Sequence, residues 1–231
     1  MGTDISVIIP VRNEAEHIRA LIGYLQEHGK GTLKEILVVD GKSQDGTVSI
    51  AQAAGATVLH SAVQSRAAQM NLGALAAQGD VLYFVHADTL PPQSFVADIQ
   101  TALSSGYEMG CFRYRFDSPA LLLKLNAYFN RFPWLWCQGG DKTFFIKKEV
   151  FRRFGGYNEY YVVMEEYDFL RRAMVHLPLC TIPKYAIVSA RKYERNSWLR
   201  VQLANILVFN LFRLGVVPER LKWIYKQIIR P

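Results

Sequence analysis

The stretch Ile36-Leu37-Val38-Val39-Asp40-Gly41-Lys42-Ser43-Gln44-Asp45-Gly46-Thr47 passes from an unbroken apolar run into a loop of carboxylates, glycines and hydroxyls. Such a run fits a strand buried on both faces, as in a parallel sheet. Gly41 and Gly46 permit tight turns, and Asp45 or Thr47 can cap a helix that starts there. The loop reads in two ways: as a plain strand-to-helix turn, or as strand-end carboxylates that grip the base and ribose of a nucleotide.

The same alternation recurs on either side. Ile5 to Ile9 and Val81 to Val85 are further apolar runs, and Thr57-Val58-Leu59 is a shorter one. Between them, Ile18, Leu21, Ile22 and Leu25 recur at helical spacing, and Thr47 to Ala54 and Ser65 to Ala77 suit helices. Strands alternating with helices predict right-handed βαβ units in an α/β fold, with ligands at the carboxyl ends of the strands. Three of those ends carry acids: Pro10-Val11-Arg12-Asn13-Glu14, Asp40 to Thr47, and Val85-His86-Ala87-Asp88-Thr89. A carboxylate at the third can hold a hard divalent cation, which takes one or two protein carboxylates plus substrate phosphates.

The second half is less regular. Met109 to Phe116 and Phe144 to Ile146 suit strands, Ala120 to Arg131 a helix, and Pro133 to Trp136 an aromatic loop. Trp134 and Trp136 either pack as core or stack on a sugar ring. Beyond Ser197 a long amphipathic helix is expected, punctuated by Gly215 and Pro218.

Composition narrows the class. The 231 residues are 50% apolar and 13% aromatic, enough for a sizeable core. Cys111, Cys137 and Cys180 form no paired spacing, which argues against a disulfide framework or zinc site and suits a reducing, cytoplasmic setting. No secretory signal or membrane-spanning run is legible. From residue 191 onward nine Lys and Arg face two Glu, which accounts for the whole net charge of +7. No nucleic-acid-binding motif accompanies that charge, so nucleic acid is not an expected partner.

Taken in order, Pro10…Asn13-Glu14, Asp40-Gly41…Ser43…Asp45-Gly46-Thr47, Arg66…Gln69…Asn71 and His86-Ala87-Asp88 resemble the donor half of glycosyltransferase family 2. Gln138-Gly139-Gly140-Asp141, Phe154-Gly155-Gly156-Tyr157 and Met164-Glu165-Glu166 continue the likeness. The fullest match is to the small bacterial subgroup called radical-SAM/selenodomain-associated transferase 2. The resemblance implies a GT-A fold, Rossmann-like and mostly parallel. It also implies inverting transfer of a sugar from a nucleotide-diphosphate donor, preferably a UDP-sugar, to a hydroxyl acceptor with Mn2+ or Mg2+. The donor half would span about residues 1–90, the acceptor half 91–195, and residues 196–231 would form a basic helical tail.

By the same likeness, Pro10, Asn13, Glu14, Asp40, Asp45 and Arg66 belong to the donor site, and Asp88 holds the cation. Gly140, Asp141, Trp136 and Arg191 belong near the sugar or acceptor. The family's aspartate-x-aspartate has become His86-Ala87-Asp88, so His86 is either a second metal ligand or a packed strand-end residue. The family's Glu-Asp has become Glu165-Glu166. The acceptor's general base therefore stays open among Glu166, Glu165 and Asp168. A plainer reading makes these acids a helix start that complements the macrodipole and pairs with Arg171 or Arg172.

The tail also reads two ways. Leu199, Leu203, Ile206, Leu207, Leu211 and Leu214 form an apolar stripe that either packs on the domain or lies on an anionic bilayer at the inner face of the membrane. The latter suits a lipid-linked acceptor. A dehydrogenase is excluded, because no GxGxxG follows an early strand. A sugar nucleotidyltransferase is disfavoured by the glycine-free loop at Val11 to Glu14. A non-catalytic nucleotide-sugar or membrane-binding module remains the other alternative, supported by the departures at His86 and Glu166.

Overall fold

The computed structural model describes residues 4–29, 31–139 and 142–229. Parallel strands β1 (Ile5–Val11), β2 (Leu33–Asp40), β3 (Thr57–His60) and β4 (Val81–Phe84) form the first half of the sheet. Helices α1 (Ile18–His28), α2 (Thr47–Ala53) and α3 (Arg66–Ala76) connect them. The chain continues through β5 (Thr89–Leu90), α4 (Phe95–Ser104), β6 (Met109–Phe116), α5 (Leu121–Phe129), a 3-10 turn at Leu135–Cys137, β7 (Phe144–Lys147) and α6 (Lys148–Arg153). It ends with α7 (Glu165–Ala173), β8 (Cys180–Val188), α8 (Arg191–Arg195), α9 (Trp198–Arg213) and α10 (Pro218–Ile228). The eight strands lie in the order β3-β2-β1-β4-β7-β6-β8-β5. β7 runs antiparallel to both neighbours, β6 pairs parallel with β8, and β5 caps the edge antiparallel to β8.

Residue alternation along β1 explains the layering. Val7 and Ile9 join one core with α1, α2 and α4, whereas Ile8 joins the other with α3, α6 and α7. Both faces are therefore covered, as the continuous apolar strands require. β8 escaped the sequence reading for a physical reason. Its register with β6 shifts between Phe112 and Arg113, so Pro183 and Lys184 fall outside the pairing and interrupt the apolar run.

Several residues of the motif serve the scaffold. Gln69 Nε2 donates to the carbonyls of Val11 (2.9 Å) and Val39 (2.7 Å), tying the ends of β1 and β2 together. Asn71 exchanges hydrogen bonds with the Tyr157 backbone (2.8 and 3.0 Å). Gly156 has φ +67°, and a Cβ there would stand 2.9 Å from Asn71 Oδ1, so the turn has no room for a side chain.

α9 decides between the two packings open to its apolar stripe. Its packing face is Val201, Ala204, Val208 and Phe212, all buried. Within the expected stripe Leu211 packs, but Leu199, Leu203, Ile206, Leu207 and Leu214 are exposed. Among the described residues, no helix is long and apolar enough to cross a membrane.

Candidate active site

The strand ends β1 and β2 are stitched into one platform. Asn13 has φ +56°; its N–H donates to Ser43 Oγ (2.9 Å) and its Oδ1 accepts from Gln44 N–H (2.8 Å). Glu14 N–H donates to Thr47 Oγ1 (2.8 Å) and Ala15 N–H to Asp45 Oδ2 (3.3 Å). The Thr47 hydroxyl and backbone also donate to Asp45, and together with Ala15 they hold its carboxyl below the usual range. The buried Asp40 accepts from the N–H groups of Lys42 and Ser43, both at 3.1 Å. Asn13, Asp40 and Asp45 thus brace the loops that end β1 and β2, their carboxamide and carboxylates already serving backbone donors, and none of the three lines the cleft.

Above that platform lies a cleft of about 360 Å³, lined among others by Pro10, Glu14, Arg66, His86, Asp88 and Arg191. α8 brings Arg191 across the strand ends. It holds Glu14 through two hydrogen bonds (2.7 and 3.0 Å), while its Nη2 also lies 3.2 Å from Asp88 Oδ2. One guanidinium therefore bridges the carboxylates that close β1 and β4. Arg12, Lys192 and Tyr193 line the same cleft. Arg191-Lys192-Tyr193 is visible in the sequence as a basic-aromatic segment, but its meeting with Glu14 is a long-range contact that no local spacing reveals.

The acids of α7 part company. Asp168 is buried and paired with Arg171 (3.2 Å) and Arg172 (3.0 Å), as the plainer helix-start reading expects; it does not line the cleft. Arg172 also donates to the carbonyls of Phe154 and Gly156, so this pair anchors α7 to the preceding turn. Glu165 and Glu166 both approach Arg66, at 3.6 and 3.8 Å. Glu166 Oε1 also lies 3.6 Å from His86 Nε2, and Glu166, His86, Gln138 and Gly139 line a small cavity adjoining the cleft. Burial pushes the Glu166 carboxyl up, but the His86 ring and Arg66 outweigh it and leave it below the ordinary value. Burial dominates at Glu165, with help from the Glu166 charge and against Arg66, and raises its carboxyl to about 7.

That asymmetry has a consequence for stability. Between the ordinary value of 4.5 and about 7, folded Glu165 keeps a proton that the unfolded chain has released. Stability must then fall as pH rises through that window. Glu165→Gln is expected to flatten this slope and to raise the melting temperature by a few degrees near pH 8. Thermal melts from about pH 5 to pH 8 check this; an unchanged pH profile contradicts it.

The other residues singled out by the sequence are dispersed. Trp134 and Trp136 are about half exposed and stack on each other at 5.6 Å, outside the cleft lining. Gly140 and Asp141 lie outside the described residues. Next in the chain, Lys142 was missed by the sequence reading. Its buried ammonium donates to Asn130 O and Gln138 Oε1, both at 2.7 Å, and burial lowers its pKa. A lysine inside a glycine-rich turn gives no spacing signal for such a role.

Among the described residues there is no cluster of three His, Cys, Asp or Glu side chains suited to a metal. Asp88 is a carboxylate 23% exposed to the cleft, and that donor set fits a hard cation completed by substrate phosphates and water.

The family model described as Glycosyl transferase family 2 matches residues 6–161. The chain belongs to glycosyl transferase family 2. Glycosyltransferase AglE of Haloferax volcanii is 32% identical over 113 residues, covering 46% of this chain and 37% of that relative. The match thus spans little more than a third of AglE. The mannosyltransferase PcManGT from Pyrobaculum calidifontis, in complex with GDP-Man and Mn2+, superposes with a TM-score of 0.68 at 19% identity, covering 97% of this chain and 68% of that one. Glucosyl-3-phosphoglycerate synthase from Mycobacterium tuberculosis, with Mn2+, UDP-glucose and phosphoglyceric acid, gives 0.66 at 21%, covering 93% and 81%. The family-2 chain accordingly has the GT-A fold, with its mostly parallel eight-stranded sheet flanked by helices.

Proposed function

We propose that this family-2 glycosyltransferase transfers a sugar from a nucleotide-diphosphate donor, a UDP-sugar by preference, to a hydroxyl acceptor with inversion at the anomeric carbon. The observation that carries this reading is the convergence of two unlike acidic groups on adjoining cavities. Asp88 opens to the cleft beside Arg191, and Glu166 stands behind His86 and Arg66. A single displacement needs this polarity: positive charge where the diphosphate leaves, and a base on the acceptor side.

In this reading Asp88 holds Mn2+ or Mg2+ together with the donor, and the cation supplies charge neutralisation of the leaving diphosphate. Arg66 and Arg191 add positive charge around the same oxygens. Pro10 and Glu14 line the cleft for the nucleoside, on loops that Asn13, Asp40 and Asp45 brace. Glu166 accepts the acceptor's hydroxyl proton as its oxygen bonds to the anomeric carbon and the carbon–diphosphate bond breaks. Arg66 and His86 orient that carboxylate. The more deeply buried Glu165 supports it from behind, and Asp168 anchors the helix that carries both. Asp141 and Gly140 belong to the sugar side through the family likeness.

The same likeness supports three finer points: the radical-SAM/selenodomain-associated subgroup, a donor half near residues 1–90 followed by an acceptor half to 195, and a tail working at the inner face of the membrane on a lipid-linked acceptor. Neighbours in complex with both UDP-glucose and GDP-Man make the nucleotide a matter for experiment.

A thermal-shift panel of UDP- and GDP-sugars with Mn2+ tests the reading. A donor at about a hundred times its Kd stabilises the fold by roughly 2.7 kcal/mol. Release of nucleoside diphosphate from the stabilising donor is the expected companion result. Pyrophosphate-dependent chemistry would indicate a nucleotidyltransferase instead, and stabilisation without turnover on any acceptor would indicate a binding module.

A further inference from the structure

Large apolar side chains lie in solvent on two neighbouring elements. On α5 and the turn after it, Leu121, Leu122, Leu125, Trp134 and Trp136 are 47–78% exposed. On α9, Leu199, Leu203, Ile206 and Leu207 are 43–59% exposed. Successive residues of an α-helix advance by about 100°. With Val201, Ala204, Val208 and Phe212 on the inner face, Leu199, Leu203 and Ile206 fall on the opposite side. α9 is therefore apolar on both faces, a pattern expected of a helix covered on both.

The two elements adjoin. Trp198 Nε1 donates to Asn126 Oδ1 (3.2 Å), Asn126 Nδ2 donates to Tyr193 OH (3.2 Å), and Gln202 Nε2 donates to the same hydroxyl (3.4 Å). These contacts hold α5 alongside the first turns of α9. At the far end Phe209 packs on Tyr167 with ring centres 5.2 Å apart, and a Cβ on Gly139 would stand 3.2 Å from the Tyr167 hydroxyl. Through Phe209 and Tyr167, α9 thus reaches towards Gln138 and Gly139, which line the cavity beside Glu166.

Charge selects what covers this surface. Lys124 on α5, Arg195 on α8 and Arg213 on α9 are exposed, as are Arg220 and Lys226 on α10, which packs on α9; from residue 191 onward only Glu194 and Glu219 oppose nine bases, one of them the Arg191 of the cleft. A second copy would bring one such positive excess against another. An anionic bilayer complements it, and tryptophans favour the headgroup level.

We infer that the outward faces of α5, the Trp134–Trp136 turn and α9 seat on an anionic lipid bilayer, so that an amphiphilic hydroxyl acceptor reaches Glu166 from the membrane side. The delivery clause rests on the assignment of Glu166 to the acceptor; the docking clause stands on the surface alone.

The test is co-sedimentation of the full chain with phosphatidylcholine vesicles, with and without phosphatidylglycerol. Binding to the anionic vesicles is expected, weakened by high salt. The double variant Leu203→Ser/Ile206→Ser should lower the partition coefficient by roughly tenfold or more, since each side chain loses most of its apolar transfer energy. Leu75→Ser, at a site 73% exposed on α3, should leave it unchanged. Donor-induced thermal shift, measured on the same samples, should persist in every variant; its absence in the parent chain would count against the proposed function and not against docking. Failure to bind either vesicle overturns the inference. So does a dimer in sedimentation velocity that the double variant dissociates while vesicle binding is absent, because a second copy then covers the face.

Discussion

Asp88→Asn lowers metal-dependent release of nucleoside diphosphate by about 10²–10³-fold, the scale for losing one electrostatic element that stabilises developing charge. The substitution preserves size and removes the anion. The fold has little stake in that anion: the Asp88 carboxylate contacts Arg191 on a 23% exposed side chain, and the bond from Ser189 N–H to Asp88 reaches the backbone carbonyl. The melting temperature without ligand should therefore stay close to that of the parent chain. A coupled assay for the released nucleotide, run with a saturating donor and Mn2+, reads the effect. Unchanged turnover would remove Asp88 from the mechanism.

Glu166→Gln slows transfer by about 10²–10⁴-fold, the range for a positioned general base, and leaves donor-induced stabilisation intact. The carboxylate is held ionised by His86 and Arg66 against the cost of its burial, so it is ready to accept a proton at neutral pH. Glutamine keeps the shape and the hydrogen-bonding reach but cannot take the proton. Single-turnover transfer with donor prebound separates the chemical step from binding. A normal rate in this variant would shift the role to Glu165, whose carboxyl at about 7 also suits a base but whose side chain is only 4% exposed.

The first half of the chain was legible because its physics is local. Continuous apolar runs at Ile5, Ile36 and Val81 became parallel strands, and the acids that follow them gathered at one end of the sheet. The second half depends on contacts distant in sequence. Pro183 hides β8, Arg191 finds Glu14 across 177 positions, and Lys142 is buried by a turn whose spacing says nothing of burial. The acids of α7 show the same limit. Glu165, Glu166 and Asp168 look equivalent in sequence, yet helical phase sends Asp168 to Arg171 and Arg172 and the two glutamates to Arg66. On α9 the apolar stripe left packing and exposure open, because both faces of that helix are apolar: Val201, Ala204, Val208 and Phe212 pack inward and most of the leucine row faces out.

The most direct test of the account is an Mn2+ titration followed by electron paramagnetic resonance, with and without UDP, on the parent chain and Asp88→Asn. One carboxylate completed by a diphosphate should bind Mn2+ weakly alone and much more tightly with the nucleotide, and the asparagine variant should lose that gain. Equal Mn2+ affinity in both proteins, with nucleotide present, would contradict a cation held between Asp88 and the donor.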